Sequence, residues 1–308
     1  VVGAGPAGLS CASTVEGRVL LLEREKTPYE NISCAEWIPP FLDIPCIQKT
    51  EGMLTIYPGG EKFSPVKGKV IDRKAWQKNW LSSLKCDVHT GEKVLYVKNG
   101  RVRTDRGEYR TEWICIASGP GRAIEGLIPQ KEHLSAVNMR FKLVKPLEYT
   151  IVWFTEEIKH GYAWCFPRGE MVNVGLGMRG RISSMIPRVI EFFKKMGFIK
   201  GEPIKITGGL IPQEEPHPFM EQKILFVGDA GGFTDPLTGA GILSAIDTGR
   251  LAGKLVTGSI SMEDYRKELN KTYIPFIRRR KKRKEDMEEQ WNYLKRTVER
   301  YWISIFPE

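Results

Sequence analysis

Between Gly161 and Met178 the chain alternates. Tyr162, Trp164 and Phe166 occupy every second position, and beyond Pro167 the alternation resumes as Val172, Val174 and Leu176. A period of two marks β-structure. The segment therefore predicts strands over 161–167 and 171–178, joined by a turn at Pro167-Arg168-Gly169, as a hairpin of an antiparallel sheet. Other apolar runs are continuous. RVLLLERE (18–25) and Ile224–Val227 read as short, buried strands, and Val1-Val2 reads as the end of another. Residues 261–300 read as helix. No apolar run reaches the roughly 18 residues that a membrane-spanning helix needs. The first strand looks clipped, so a few residues are expected upstream of Val1, and the start does not read as a signal peptide.

The first strand leads into glycines. Gly3, Gly5 and Gly8 form G-x-G-x-x-G at the opening of a helix. The first glycine permits the turn, the second lets backbone approach a pyrophosphate, and the third allows close packing. The helix N-terminus, with unpaired N–H groups and the positive end of the dipole, then faces the phosphates. Glu23 ends the next strand, at the spacing where an acidic side chain binds ribose hydroxyls. No arginine replaces it to invite a 2′-phosphate. A dinucleotide with free ribose hydroxyls, FAD or NAD, is favoured over a plain glycine turn with a surface glutamate.

The run ILFVGDAGGFTDPLTGAGILSAIDTGRLAGKL (224–255) carries a second such junction. Gly228-Asp229 follows the strand, a loop with Pro236, Thr238, Gly239 and Gly241 comes next, and a helix begins near Ile242. Asp229 is suited to a polyol such as the ribityl chain of a flavin. The second helix N-terminus offers N–H donors where a reduced flavin is negative. Asp229 as a helix cap in a glycine-rich junction is the structural alternative. One nucleotide site, two chain-distant contact regions and no second fingerprint for nicotinamide favour FAD.

Composition narrows the class. With 41% hydrophobic and 27% charged residues in 308, the chain has material for a core of one large or two intertwined domains. The six cysteines form no C-x-x-C pair, and the four histidines do not cluster with them, which disfavours a zinc site or a disulfide framework. No metal is expected. The net charge of +10 is local, because residues 278–284 are seven consecutive cations. Nucleic-acid binding lacks a zinc-finger, RRM or helix-turn-helix pattern.

Taken together these residues resemble the geranylgeranyl reductase family, the archaeal digeranylgeranylglycerophospholipid reductase-like flavoproteins of the p-hydroxybenzoate hydroxylase fold. The resemblance rests on Gly3, Gly5, Gly8 and Glu23, on Arg73 in VIDRKAWQKNWL, on GDAGGFTDPLTGAGI, and above all on GYAWCFPRGEMVNVGLG, which is similar to a Y-x-W-x-F-P-(K/R)-G signature. It implies an α/β fold: a Rossmann-like FAD-binding domain from 1–125 and 220–260, an inserted antiparallel substrate domain over 126–219, and a helical C-terminal segment over 261–308. It implies FAD contacts at Gly3, Gly5, Ala7, Gly8, Glu23, Arg24, Arg73, Ala117, Gly228, Asp229, Gly239, Ala240, Gly241 and Ile242. Cys34 in ISCAEW matches a cysteine close to the flavin, although Ala35 stands where the family carries glycine. Cys34 is the catalytic candidate, an inert thiol being the alternative, and His160 is a weaker one. Ser118-Gly119 replaces the Asp-Gly pair that helps NADPH docking in monooxygenases of this fold, so an external donor, ferredoxin or another reductant, is expected.

The resemblance gives the aromatic ladder a purpose. Tyr162, Trp164, Phe166 and Pro167 are expected to line a channel for an isoprenoid chain, since each buried CH₂ contributes about 0.8 kcal/mol. Sheet-core packing is the competing reading of the same rings. The implied activity is saturation of C=C bonds in geranylgeranyl chains of archaeal ether lipids or their precursors. A flavin monooxygenase, a reductase of a polyprenyl quinone side chain and a non-catalytic lipid carrier are the alternatives. The cations at 278–284 are read either as a solvated face or as a contact with anionic lipid, with Trp291, Tyr293, Tyr301, Trp302 and Phe306 at the interface. The expected location is cytoplasmic, peripheral at the inner face of the membrane.

Overall fold

The protein is seen here as a computed structural model that describes residues 1–121, 124–127, 132–220 and 223–304. Phe306 lies outside the described residues. The chain divides into two compact units, one formed by 1–30, 77–133 and 211–281, the other by 31–76, 134–210 and 282–308.

The first unit is parallel at its centre. Leu20–Glu23 pairs with Asp87–Thr90, and Ile114–Ile116 with Ile224–Phe226, both in parallel. Val2 bridges the two pairs, through Leu22 on one side and Ile116 on the other. Ile114–Ile116 and Ile224–Phe226 are continuous in apolar character because their side chains are buried on both faces, whereas Asp87–Thr90 is polar and part-exposed. Helices Pro6–Thr14 and Ile242–Thr257 pack closely. A Cβ on Gly249 would stand 2.1 Å from the Ala7 carbonyl oxygen, and one on Gly253 would stand 2.6 Å from Thr14 Cβ. Only hydrogen at both positions permits that approach. A separate antiparallel sheet, Val94–Lys98, Arg101–Thr104 and Glu108–Arg110, completes the unit.

The second unit is built on a seven-stranded sheet. Its order is Lys205–Pro212, His133–Lys142, Met171–Met178, Tyr162–Arg168, Thr150–Trp153, Met53–Tyr57 and Gly60–Ser64. The expected hairpin is present, with one difference. The first strand runs on through Pro167 and Arg168, and the turn is the two-residue pair Gly169-Glu170, with Gly169 at φ +66. A glycine at the first central position suits a tight hairpin of this hand. Proline is tolerated in the strand because Thr150–Trp153 pairs only as far as Cys165 on that side. Helix Ile186–Lys195 covers one face, where Val189 and Phe193 meet Ala163, Cys165, Val172, Val174 and Leu176.

The stretch expected as one helix over 261–300 is four pieces: Met262–Lys271, Tyr273–Glu289, a single turn at Trp291–Tyr293, and Leu294–Tyr301. Ser261 and Asp264 form a reciprocal cap at the start of the first piece. Among the described residues no helix is long and apolar enough to cross a membrane, and no cluster suits a metal ion.

Candidate functional site

In the first unit two helix N-termini converge. Gly3 (φ +99) turns the chain out of its strand, and a Cβ there would stand 2.4 Å from the Ala117 carbonyl oxygen. Gly8 packs on the back of that turn, where a Cβ would come within 1.9 Å of the Gly3 oxygen. Gly5 differs: it is the N-cap of Pro6–Thr14, has no side-chain cap, and a Cβ there would meet open space. The Glu23 carboxylate faces this turn and accepts hydrogen bonds from the Ala4 and Glu25 N–H groups, both at 2.9 Å. Arg24 points to solvent and pairs with Glu25. Ala117 donates to the Val2 oxygen at 2.8 Å and so joins strand to turn.

Gly228 (φ +56) carries the second segment to the same place. A Cβ there would lie 2.9 Å from Ala7 Cβ and 3.3 Å from Ala245 Cβ. Residues more than 200 positions apart thus share one corner of this unit. Asp229 Oδ1 accepts from Thr234 Oγ1 at 2.6 Å, and a Cβ on Gly241 would approach that oxygen to 2.9 Å. Gly239 (φ +71), Ala240 and Gly241 lead into Ile242, the first residue of a helix that has no side-chain cap. Asp235, unforeseen in the sequence, holds this loop. Its carboxylate accepts from Leu237 N–H and Thr238 Oγ1 at 2.9 and 2.7 Å, and Arg280 stands 3.6 Å away.

These features fit a flavin dinucleotide. They supply two uncapped helix starts for anionic groups, space at Gly5, and carboxylates at Glu23 and Asp229 suited to hydroxyls.

In the second unit the ladder occupies the sheet face opposite the aliphatic core. Tyr162, Trp164 and Phe166 stand across from Gly177, Gly175 and Asn173. A Cβ on Gly175 would fall 2.4 Å from the Trp164 ring. Trp164 Nε1 donates to Asn138 Oδ1 at 3.1 Å. Tyr162 packs against Phe154 and Trp302, at ring separations of 5.6 and 5.0 Å. Pro167 is buried.

Beyond the ladder lies a charged network that the sequence did not disclose. Glu36, only 3% exposed, accepts from Arg168 Nε at 2.7 Å, Arg140 at 2.8 Å and Asn173 at 3.2 Å, all on Oε2. Its other oxygen accepts the Arg73 N–H at 3.3 Å. Asn173 also donates to the Ala35 oxygen, and the Glu36 N–H points to Cys34 Sγ at 3.2 Å. Arg168 reaches Asp72 at 3.2 Å. Burial pushes the Asp72 carboxyl up, but the Ala75 N–H and the Arg168 guanidinium outweigh it and hold it below its usual range. Burial draws the Arg140 guanidinium down against the pull of Glu36. Arg73 opens helix Arg73–Ser83, and Cys34 is half-buried.

His160 (φ +60) meets the C-terminal segment. Its ring lies 3.3 Å from Glu288, and its carbonyl accepts from Lys284. Burial lowers its pKa, against the attraction of Glu288. The cations of 278–284 are mostly engaged. Arg278, Lys281 and Lys282 pair with Glu215, Glu132 and Asp286, and Arg283 donates to the Tyr301 oxygen. Arg279 is exposed. Trp291 and Trp302 are buried, whereas Tyr293 is exposed.

No family model matches the chain. Individual relatives do. The digeranylgeranylglycerophospholipid reductase of Methanocaldococcus jannaschii is 30% identical over 321 aligned positions, which cover 89% of this chain and 80% of that one. Reductase 1 of the same name from Methanopyrus kandleri is 31% identical, covering 89% and 84%. The chain belongs to the geranylgeranyl reductase family. That family is one of FAD-dependent oxidoreductases, and this reductase shares its fold with a geranylgeranyl bacteriochlorophyll reductase-like protein from Thermoplasma acidophilum. The TM-score is 0.81 at 21% identity, over 99% of this chain and 90% of the other. PqsL of Pseudomonas aeruginosa, a probable FAD-dependent monooxygenase, matches at 0.69 and 12%, over 94% and 95%. The expected α/β class, with an antiparallel sheet and C-terminal helices, is the class observed.

Proposed function

We propose that this reductase saturates C=C bonds in geranylgeranyl chains of archaeal-type ether glycerophospholipids or their precursors, using FAD. The observation that carries the reading is the aromatic face of Tyr162, Trp164 and Phe166, turned away from the aliphatic core in a chain related to digeranylgeranylglycerophospholipid reductases. FAD would be held at Gly3, Gly5, Ala7, Gly8, Glu23, Arg24 and Ala117, at Gly228, Asp229 and Gly239 through Ile242, and at Arg73. When bound it supplies the hydride, and an external donor restores it.

The chain's own residues do the remainder. The two helix starts stabilise negative charge on phosphates and on a reduced ring. The apolar rings exclude water from an alkene that gains cationic character as it is protonated, whereas Pro167, opposite Val172, falls by parity on the aliphatic-core face and not on the ring face where it was expected. Cys34 is the group proposed for proton delivery: the Glu36 N–H occupies an Sγ lone pair, which leaves the S–H to donate. Arg279, together with Arg278 and Lys282, which are exposed although paired with Glu215 and Asp286, would meet a lipid surface.

The test is anaerobic incubation of the reduced holoprotein with a geranylgeranyl glycerolipid and, separately, with a polyprenyl quinone. Mass gains in steps of two hydrogens on the glycerolipid are expected. Gains on the quinone alone, or on neither, would overturn the reading.

A further inference from the structure

We infer that Arg168 and Arg140 form the seat for a phosphate headgroup at the open end of the aromatic face, an assignment that rests on the lipid-reductase reading above. Four side chains of one strand share the argument. Positions 162, 164 and 166 point to the same face, and by the same parity so does 168. Arg168 and Arg140 meet on Glu36, and Arg140 Nε also reaches Asn173, the cross-strand neighbour of Phe166, at 3.3 Å. The apolar rail therefore ends in two guanidiniums.

Its two ends are unlike. Phe154 and Trp302 cover the Tyr162 end, and Trp302 is 1% exposed, its indole N–H without a partner among the described residues. The Arg168 end runs into the exposed turn and into Asp72, whose side chain is 44% exposed. An amphiphile laid along this face must place its polar head at the Arg168 end.

The charge count agrees. One guanidinium would neutralise Glu36, yet two are brought to it, and burying a second charge is costly. Among the described residues the excess positive charge is balanced from the solvent side by Asp72. A guanidinium presents donors in a fork that matches phosphate oxygens, and a bound phosphate would take the place of Asp72 on Arg168.

Phosphate could come from the lipid, from solution or from the cofactor, and the assay separates these sources. The FAD-loaded protein is given digeranylgeranylglyceryl phosphate, the same lipid without its phosphate, and each again with inorganic phosphate added. The wild type should favour the phosphorylated lipid in kcat/KM by about tenfold or more. Arg168→Gln should remove most of that preference and Arg168→Lys restore part of it. Asp72→Asn, which keeps the cap to Ala75 N–H, should increase the preference. Inorganic phosphate should compete with the phosphorylated lipid alone.

Equal kcat/KM for both lipids in the wild type, or an undiminished preference in Arg168→Gln, would overturn the headgroup seat and leave the reductase reading standing. So would equal inhibition of both lipids by inorganic phosphate, or loss of FAD from Arg168→Gln. Reduction of neither lipid by the wild type would refute the reductase reading itself.

Discussion

Removing the carboxylate of Glu36 should be among the most damaging single changes in this protein. Glu36 is buried, and its Oε2 accepts from two guanidiniums and one amide. In Glu36→Ala, Arg168 keeps Asp72, but Arg140 is left beside Arg168 with its desolvation uncompensated. Breaking one side of a buried ion pair costs about 3–5 kcal/mol. For a chain of this size that corresponds to a fall in Tm of roughly 5–15 °C. Backbone geometry adds a second, separable effect. Glu36 sits at φ +64, where an L side chain costs about 1 kcal/mol or more and glycine costs far less. Glu36→Gly should therefore be less harmful than Glu36→Ala by about that amount, although it removes more atoms. Calorimetry on the three proteins, with circular dichroism to confirm folding, gives both differences. A Tm for Glu36→Ala within about 2 °C of wild type would refute the account of the charge network. The reverse order of the glycine and alanine variants would refute the account of the backbone.

Three further outcomes follow from the same geometry. Gly5→Val should fold but lose FAD retention, because a side chain there meets only open space, whereas Gly249→Val should fail to fold, since its Cβ would strike the Ala7 carbonyl; flavin absorbance and melting curves distinguish the two. Trp164→Ala should impair reduction of geranylgeranyl lipid while leaving the flavin spectrum unchanged, and unaltered kinetics would return the ring to a purely structural role. The folded-state pKa of Asp72 is depressed below 3.8, so its contribution to stability is present above that value and fades as pH falls through the folded pKa; Asp72→Asn should flatten the acid limb of the stability–pH profile, and an unchanged limb would contradict the pairing with Arg168.

The glycine-rich corner was legible because its constraints act over a few residues. A tight turn, a close helix approach and an acidic strand end each leave a glycine or a glutamate at fixed spacing. The hairpin was legible through its period of two, but proline was expected in the turn, and sparse pairing beside Pro167 lets the strand continue. The charged network was hidden for a different reason. Glu36 is separated from Arg140 by 104 positions, from Arg168 by 132 and from Asn173 by 137, so no local pattern connects them. One clue was present: parity along 162–168 places Arg168 on the face of the rings. The cations of 278–284 read as one block, but helical geometry turns them in different directions, toward Glu215, Glu132, the Tyr301 carbonyl and Glu288. The burial of Trp302 against Tyr162 joins residues 140 positions apart and left no trace in periodicity.

The most direct test follows the flavin and the lipid together. The FAD-loaded protein is reduced without oxygen and mixed with geranylgeranyl glycerolipid, and the visible absorbance of oxidised flavin is recorded while the lipid is sampled for mass. Absorbance should return in step with hydrogen gain on the lipid, one flavin reoxidised per double bond lost. Flavin that stays reduced beside unchanged lipid, or protein that takes up no flavin at all, would contradict the account.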